Sequence, residues 1–140
     1  MQSIEEINAQ WEGTLIDTLG IKFSVTQEDH TFLAHMPVTP QICQPYGILH
    51  GGATLALAES LAGYGSMTLC KEEEMPCGQQ VGANHLHGAK IGEIVKAKAS
   101  LLHKGRTTHV WNVDVINENG RLISTIRITN FIKKLHSCKS

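Results

Sequence analysis

Apolar residues recur along the chain with two periods, and the switches between them divide it into elements. Ser3 to Trp11 suits a short helix, with Ser3 placed to cap it and Glu5 and Glu6 in the first turn. Thr14 to Leu19, after Gly13, predicts another turn or two of helix before Gly20. From Ile21 the period becomes two: Ile21, Phe23 and Val25 alternate with Lys22, Ser24 and Thr26, the pattern of a half-buried strand. Gln27 to His30 reads as a polar turn, and Thr31 to Val38 alternates again as the return strand of a hairpin. A loop bracketed by Pro37, Pro40 and Pro45 leads to a helix predicted from His50 to Cys70. That helix is apolar on all sides, hence expected to be buried, and ends at a solvated Lys71 to Glu74 run.

Strands are expected to follow at Gly78 to Gly88, Glu93 to His103, Thr107 to Ile116 and Arg121 to Ile132, the last two joined by an Asn117 to Gly120 turn. The basic tail from Lys133 to Ser140 is expected to fray. This order lacks βαβ alternation, so the fold class is α+β with segregated elements. We expect a single domain over residues 1–140, one antiparallel sheet wrapped around a long central helix.

Composition narrows the function. A net charge of −1 with no basic stripe gives nucleic-acid binding no support. No apolar stretch reaches about 18 residues, so no membrane span is expected. The acidic, amphipathic N-terminus lacks the apolar run of a signal peptide, and a cytoplasmic location is expected. Cys43, Cys70, Cys77 and Cys138 have neither CxxC spacing nor the density of a disulfide framework, which predicts free thiols. Cys43 is a nucleophile on paper; a spectator thiol is the simpler reading.

The chemistry concentrates between Gln44 and Ser66. Glu59 is the only charged residue between Asp29 and Lys71, and His50-Gly51-Gly52 opens the helix that carries it. Gly63 and Gly65 each cost that helix about 1 kcal/mol relative to alanine, which points to close packing against backbone or ligand. His50 and Glu59 are nine positions apart. On an unbroken helix they would lie about 180° and about 13 Å apart, too far to act on one small substrate from one chain. If both are catalytic, a second copy supplies one of them at a two-fold interface. A His50 in the preceding loop would not be bound by that helical spacing. The His85-Leu86-His87 pair would point both rings to one face of a strand, yet only His103 or His109 could add ligands, so no metal is expected.

The motifs Met36-Pro37-Val38, QPYGILHGGATLALAES (Gln44 to Ser60), Ala83-Asn84-His85 and LHKGR (Leu102 to Arg106) resemble those of hot-dog-fold acyl-CoA thioesterases of the phenylacetate-degradation type. Within that group the similarity is greatest to hydroxynaphthoyl-CoA and enterobactin-proofreading thioesterases, and it covers nearly the whole chain. The resemblance implies a hot-dog fold and hydrolysis of an aryl- or medium-chain acyl-CoA, with no metal or redox cofactor. It makes Glu59 the general base or nucleophile. Gln44, His50 and the Gly51 N–H would polarise the carbonyl from the neighbouring subunit of a homodimer, with a homotetramer as the expected assembly. Coenzyme A would lie along His85, Leu86, His87 and Gly88 and along His103, Lys104, Gly105, Arg106, Thr107 and Thr108, with Lys90 a further cation. Many members carry Ser or Thr one turn after the acid, where this chain has Gly63; with Tyr64 it is placed at the substrate. The alternatives are a hot-dog hydratase or dehydratase and a non-catalytic acyl-CoA sensor. The HGG-to-AES spacing favours hydrolysis over the first, and the presence of Glu59 argues against the second.

Overall fold

A computed structural model describes residues 2–136. The elements are α1 (Ile4–Ala9), α2 (Leu15–Thr18), β1 (Lys22–Ser24), β2 (Thr31–Pro37), a 3-10 turn (Pro40–Ile42), α3 (Gly51–Leu69), β3 (Glu74–His85), β4 (Ile94–Lys104), β5 (Thr108–Ile116) and β6 (Leu122–Lys134). The strands form one six-stranded sheet in the order β1-β2-β4-β5-β6-β3, every pair antiparallel. This is the α+β arrangement the periodicity implies. Among the described residues no helix is long and apolar enough to cross a membrane.

The N-terminal helix starts with a capping box: Ser3 Oγ accepts from the Glu6 N–H, and Glu6 accepts from the Ser3 N–H. Asn8 ties that helix to β1, donating to the Phe23 carbonyl at 3.2 Å and accepting from the Phe23 N–H at 2.8 Å. β1 stops at Ser24, one residue short of Val25, which is exposed. β5 is the most regular strand, with His109, Trp111, Val113 and Val115 buried on the helix side.

Three expectations are corrected. The central helix is not buried all round. Thr54, Leu57, Ala58, Leu61, Ala62, Gly65 and Ser66 form one buried stripe at helical spacing, while Gly52, Glu59 and Met67 on the other side are exposed in the single chain. Lys71, Glu72 and Glu73 are exposed in a turn where the Lys71 N–H donates to the Glu74 carboxylate, but β3 begins at Glu74, four residues before the expected Gly78. The tail is not loose from Lys133 onward, because Lys133 and Lys134 pair with Met75 and Glu74. Residues 137–140, with Cys138, lie outside the described residues.

β3 is an edge strand, hydrogen-bonded to β6 on one side only, and carries a bulge between Gly78 and Gln80. The helix crosses the sheet closely at Gly65. A Cβ there would stand 2.7 Å from Trp111 and 3.0 Å from Phe32.

Candidate active site

The loop before α3 folds back on itself. Gln44 N–H donates to the Ile48 carbonyl at 2.9 Å, and Gly47 closes the turn at φ +80, the left-handed region that glycine enters without strain. The Leu49 N–H donates to the Ala89 carbonyl at 2.8 Å, and the His50 N–H to the Ile42 carbonyl at 2.9 Å, which fixes the entry into the helix.

Three polar groups at this entry are left as donors, two by their internal hydrogen bonds and one by its place in the helix. Gln44 Oε1 accepts from the Tyr46 N–H at 2.6 Å, so the amide NH2 is the free end of that side chain. His50 is the N-cap, and its Nδ1 accepts from the Gly52 N–H at 2.7 Å. A neutral His50 therefore carries its proton on Nε2. Capping and donation are compatible roles for one ring. The Gly51 N–H, in the first turn of α3, has no protein acceptor among the described residues, as the geometry of helix starts requires. Gln44 and Gly51 share a cavity of about 330 Å³ with His85, Leu86, His87 and Gly88. His50 and Gly52 face a neighbouring apolar cavity of about 300 Å³ under Leu15, Leu19 and Ile42. His85 turns its Nδ1 to Ser124 Oγ, and its ring sits so close to Gly51 that a Cβ there would lie 2.8 Å from Nε2. Lys90 pairs through its backbone with Ile48, beside this same wall.

Glu59 stands elsewhere. It is exposed, has no hydrogen-bonding or ionic partner among the described residues, and lines a cavity of about 400 Å³ with Ser60, Gly63, Pro76, Gly78 and Asn130. A Cβ on Gly78 would lie 3.6 Å from Glu59 Oε1, so the carboxylate rests against the main chain at the start of β3. Glu59 and the donor-rich entry thus occupy opposite ends of β3, and their cavities share no residue. Gly78 pairs with Asn130 and His85 with Ser124, six residues apart on β6, which is about 20 Å along the sheet. Tyr64 does not join Gly63 at the Glu59 cavity. It stacks on Phe23 at 4.9 Å and meets Trp11 and Phe32 edge-on, and burial pushes its phenol above the ordinary value.

A third cluster lies at the β4–β5 hairpin. Lys104, Gly105 and Arg106 line a cavity of about 280 Å³ together with Lys71, Lys134, Glu74 and His109. Four cations against one carboxylate give this wall a positive field. Lys71 follows the central helix and Lys134 lies in the basic tail, so nothing local in the sequence brings either to Lys104 and Arg106. His103, Thr107 and Thr108 build the hairpin: the Thr108 carbonyl accepts from the Gly105 N–H, the Thr107 carbonyl accepts from the Ile132 N–H, and the His103 ring would clash with any Cβ at Gly105.

Sequence reasoning also missed a buried polar network. Ser66 Oγ lies 2.9 Å from His109 Nδ1, 2.9 Å from Trp111 Nε1 and 3.0 Å from Asn130 Nδ2, and Asn130 Nδ2 reaches the Ala62 carbonyl at 3.3 Å. Burial holds His109 below its ordinary value near 6.5. Lys104 pushes it the same way, Glu74 opposes, and His103 adds a smaller downward push.

Comparison with known proteins bears on the family and the fold. The model of the thioesterase superfamily matches residues 46–124, a span that includes His50, Gly51 and Glu59. The 1,4-dihydroxy-2-naphthoyl-CoA hydrolase of Escherichia coli (strain K12) is 39% identical over 134 residues, covering 93% of this chain and 94% of that protein. A thioesterase of Haemophilus influenzae superposes with a TM-score of 0.92 at 29% identity, over 100% of this chain and 96% of the other. A hypothetical thioesterase of Streptococcus pneumoniae, crystallised with coenzyme A, superposes with a TM-score of 0.74 at 25% identity, over 84% and 88% of the two chains. The chain belongs to the thioesterase superfamily: it is a thioester hydrolase built on the hot-dog fold.

Proposed function

We propose that the protein hydrolyses an aryl- or medium-chain acyl-CoA at a site completed by two copies of the chain. The observation that carries this reading is the pairing of opposites. The α3 entry holds three donors with nothing to bind, and the far end of β3 holds an unpartnered carboxylate. An edge strand with free N–H and C=O groups is a template for pairing with another chain. Antiparallel pairing of two β3 strands about a two-fold axis near Val81 and Gly82 would set Gly78 of one copy beside His85 of the other. Glu59 of one subunit would then face Gln44, His50 and Gly51 of its mate. Two such dimers would make the expected homotetramer.

In this site Glu59 takes a proton from water, and the resulting hydroxide attacks the thioester carbonyl. The Gly51 N–H, His50 Nε2–H and Gln44 amide receive the developing oxyanion, and donors aimed at such charge are worth several kcal/mol. Collapse breaks the C–S bond, and the coenzyme A thiolate leaves with the proton that Glu59 took. Direct attack by Glu59 on the carbonyl would use the same donors. The cationic wall of Lys71, Lys104, Arg106 and Lys134 suits the phosphates of coenzyme A, in keeping with the coenzyme A held by the Streptococcus relative.

The test is thiol release from benzoyl-, phenylacetyl-, hydroxynaphthoyl- and hexanoyl-CoA by the wild type and by Glu59→Gln. The expected result is turnover of at least one thioester, lowered about 100-fold or more in the variant. Binding of the panel without turnover would overturn the hydrolase reading in favour of a sensor. Water addition to an enoyl-CoA would move the protein to the hydratases.

A further inference from the structure

We propose that Asn130 holds the attacking water at Glu59, with its side-chain oxygen fixed toward the cavity by Ser66. The proposal deepens the reading of the chain as a thioesterase with Glu59 as general base, and it rests on that reading. Asn130 is 2% exposed, and the little that is open lies on the wall of the Glu59 cavity. The orientation of its amide is forced. A carbonyl accepts and never donates, so the atom 3.3 Å from the Ala62 oxygen is the NH2 nitrogen. The same nitrogen donates to Ser66 Oγ at 3.0 Å.

Ser66, fully buried, has no freedom to change partners. Trp111 Nε1 can only donate, so the hydroxyl oxygen accepts from both Trp111 and Asn130, and its own proton goes to His109 Nδ1. Both Asn130 donors are therefore engaged, and α3, β5 and β6 together clamp the amide. What remains is Asn130 Oδ1, an acceptor with no protein donor among the described residues.

The rest of the cavity wall offers little else. At Gly63, one turn after Glu59, nothing lies within 4 Å of where a Cβ would stand. Gly78 and Pro76 present no polar side chain, which leaves Ser60 as the other neutral hydrogen-bonding group. A water that gives one proton to Glu59 and the other to Asn130 Oδ1 has both hydrogens engaged by the protein. Its lone pairs then point away from the wall, toward the space a thioester carbonyl would enter. As the new C–O bond forms, the proton on the Glu59 side transfers to the carboxylate. The other stays on the oxygen, held by Asn130, and the displaced thiolate is reprotonated from Glu59.

Steady-state kinetics of Asn130→Ala and of the near-isosteric Asn130→Leu test this. Both lose the water contact, and the leucine side chain refills the volume that alanine leaves empty, so the pair separates loss of the amide from loss of packing. The expected result is a kcat lowered about tenfold to a hundredfold at unchanged KM in each folded variant, whatever its melting temperature. Adding Gly63→Ser, which restores a hydroxyl one turn from Glu59, should recover part of that loss. A folded variant with wild-type kcat overturns the proposal while leaving the thioesterase reading intact, since the Glu59→Gln loss stands apart from it. Loss of activity that follows melting temperature and is not relieved by Gly63→Ser also overturns it, reducing Asn130 to a structural residue. A wild type inactive on every thioester removes the parent reading and this one together.

Discussion

Alanine at Gly65 and alanine at Gly63 should move stability in opposite directions, although both changes remove a glycine from the same helix. In an exposed helix interior, Gly→Ala gains about 1 kcal/mol from helix propensity and reduced unfolded-chain freedom. At Gly63 nothing lies within 4 Å of the new methyl, so most of that gain should survive. At Gly65 the methyl would stand 2.7 and 2.9 Å from two Trp111 ring carbons and 3.0 Å from Phe32. Trp111 is fully buried and hydrogen-bonded through Nε1 to Ser66, so it cannot swing aside. Overpacking of a well-filled core costs about 1–3 kcal/mol, and two contacts on a pinned ring with a third on Phe32 place this case in the upper half. After the helix gain, Gly65→Ala should lose about 1–2 kcal/mol, a fall in melting temperature of roughly 3–7 °C for a chain of this size. Thermal melts of both variants and the wild type at one protein concentration, which holds the mass-action contribution of self-association fixed, read the two signs. A Gly65→Ala protein at least as stable as the wild type would refute the close helix–sheet contact as described.

Other predictions address chemistry and pH. If the site is shared, Glu59→Gln and His50→Ala are each inactive alone, but mixing them by unfolding and refolding should restore about a quarter of wild-type activity. Half the dimers are then mixed, and each mixed dimer has one intact site; a mixture no better than its components would place both residues in one chain's site. Lys104→Ala and Arg106→Ala should raise KM for acyl-CoA several-fold, most at low salt, and leave hydrolysis of the same acyl group on N-acetylcysteamine unchanged. Equal losses on both substrates would remove the phosphate-binding role. His109, held below 6.5 in the fold, stays neutral to lower pH than it does in the unfolded chain. The unfolded state therefore binds more protons as pH falls through 6.5, and stability drops from there down toward the folded value. Denaturant melts between pH 7.5 and 5 should show a shallower acid loss for His109→Gln than for wild type.

The strands and the central helix were legible wherever one face is buried, because burial is what writes a period into a sequence. β5 is the clearest case, with every second residue from His109 to Val115 facing α3. The start of β3 was not legible: much of Glu74 to Gln80 is uncovered on both faces in a single chain and interrupted by a bulge, so no alternation marks it. Glu59 and the His50-Gly51-Gly52 entrance stand out in the local sequence because they share one helix, whereas a role for Gln44 and for the Gly51 N–H came only with the family resemblance. Ser66, His109 and Asn130 do not stand out, since their contacts span 43 and 64 positions and exist only once the sheet has closed over the helix. The cations of Lys71 and Lys134 were obscured for the same reason, each looking like a solvated end until β3 and β6 paired.

The bulge near Gln79 decides which way both ends of β3 look. Seven positions separate Gly78 from His85, an odd interval, and in a regular strand two such residues point to opposite faces. The register skips Gln79, so Gly78 pairs with Asn130 and His85 with Ser124, and both stand on the face that covers the helix. One supernumerary residue thus resets the parity of the strand. It lets Glu59 lie against one end while Gly51 meets the His85 ring at the other. Excising Gln79 would leave the chain's composition and core almost untouched and still turn one half of the edge strand inside out.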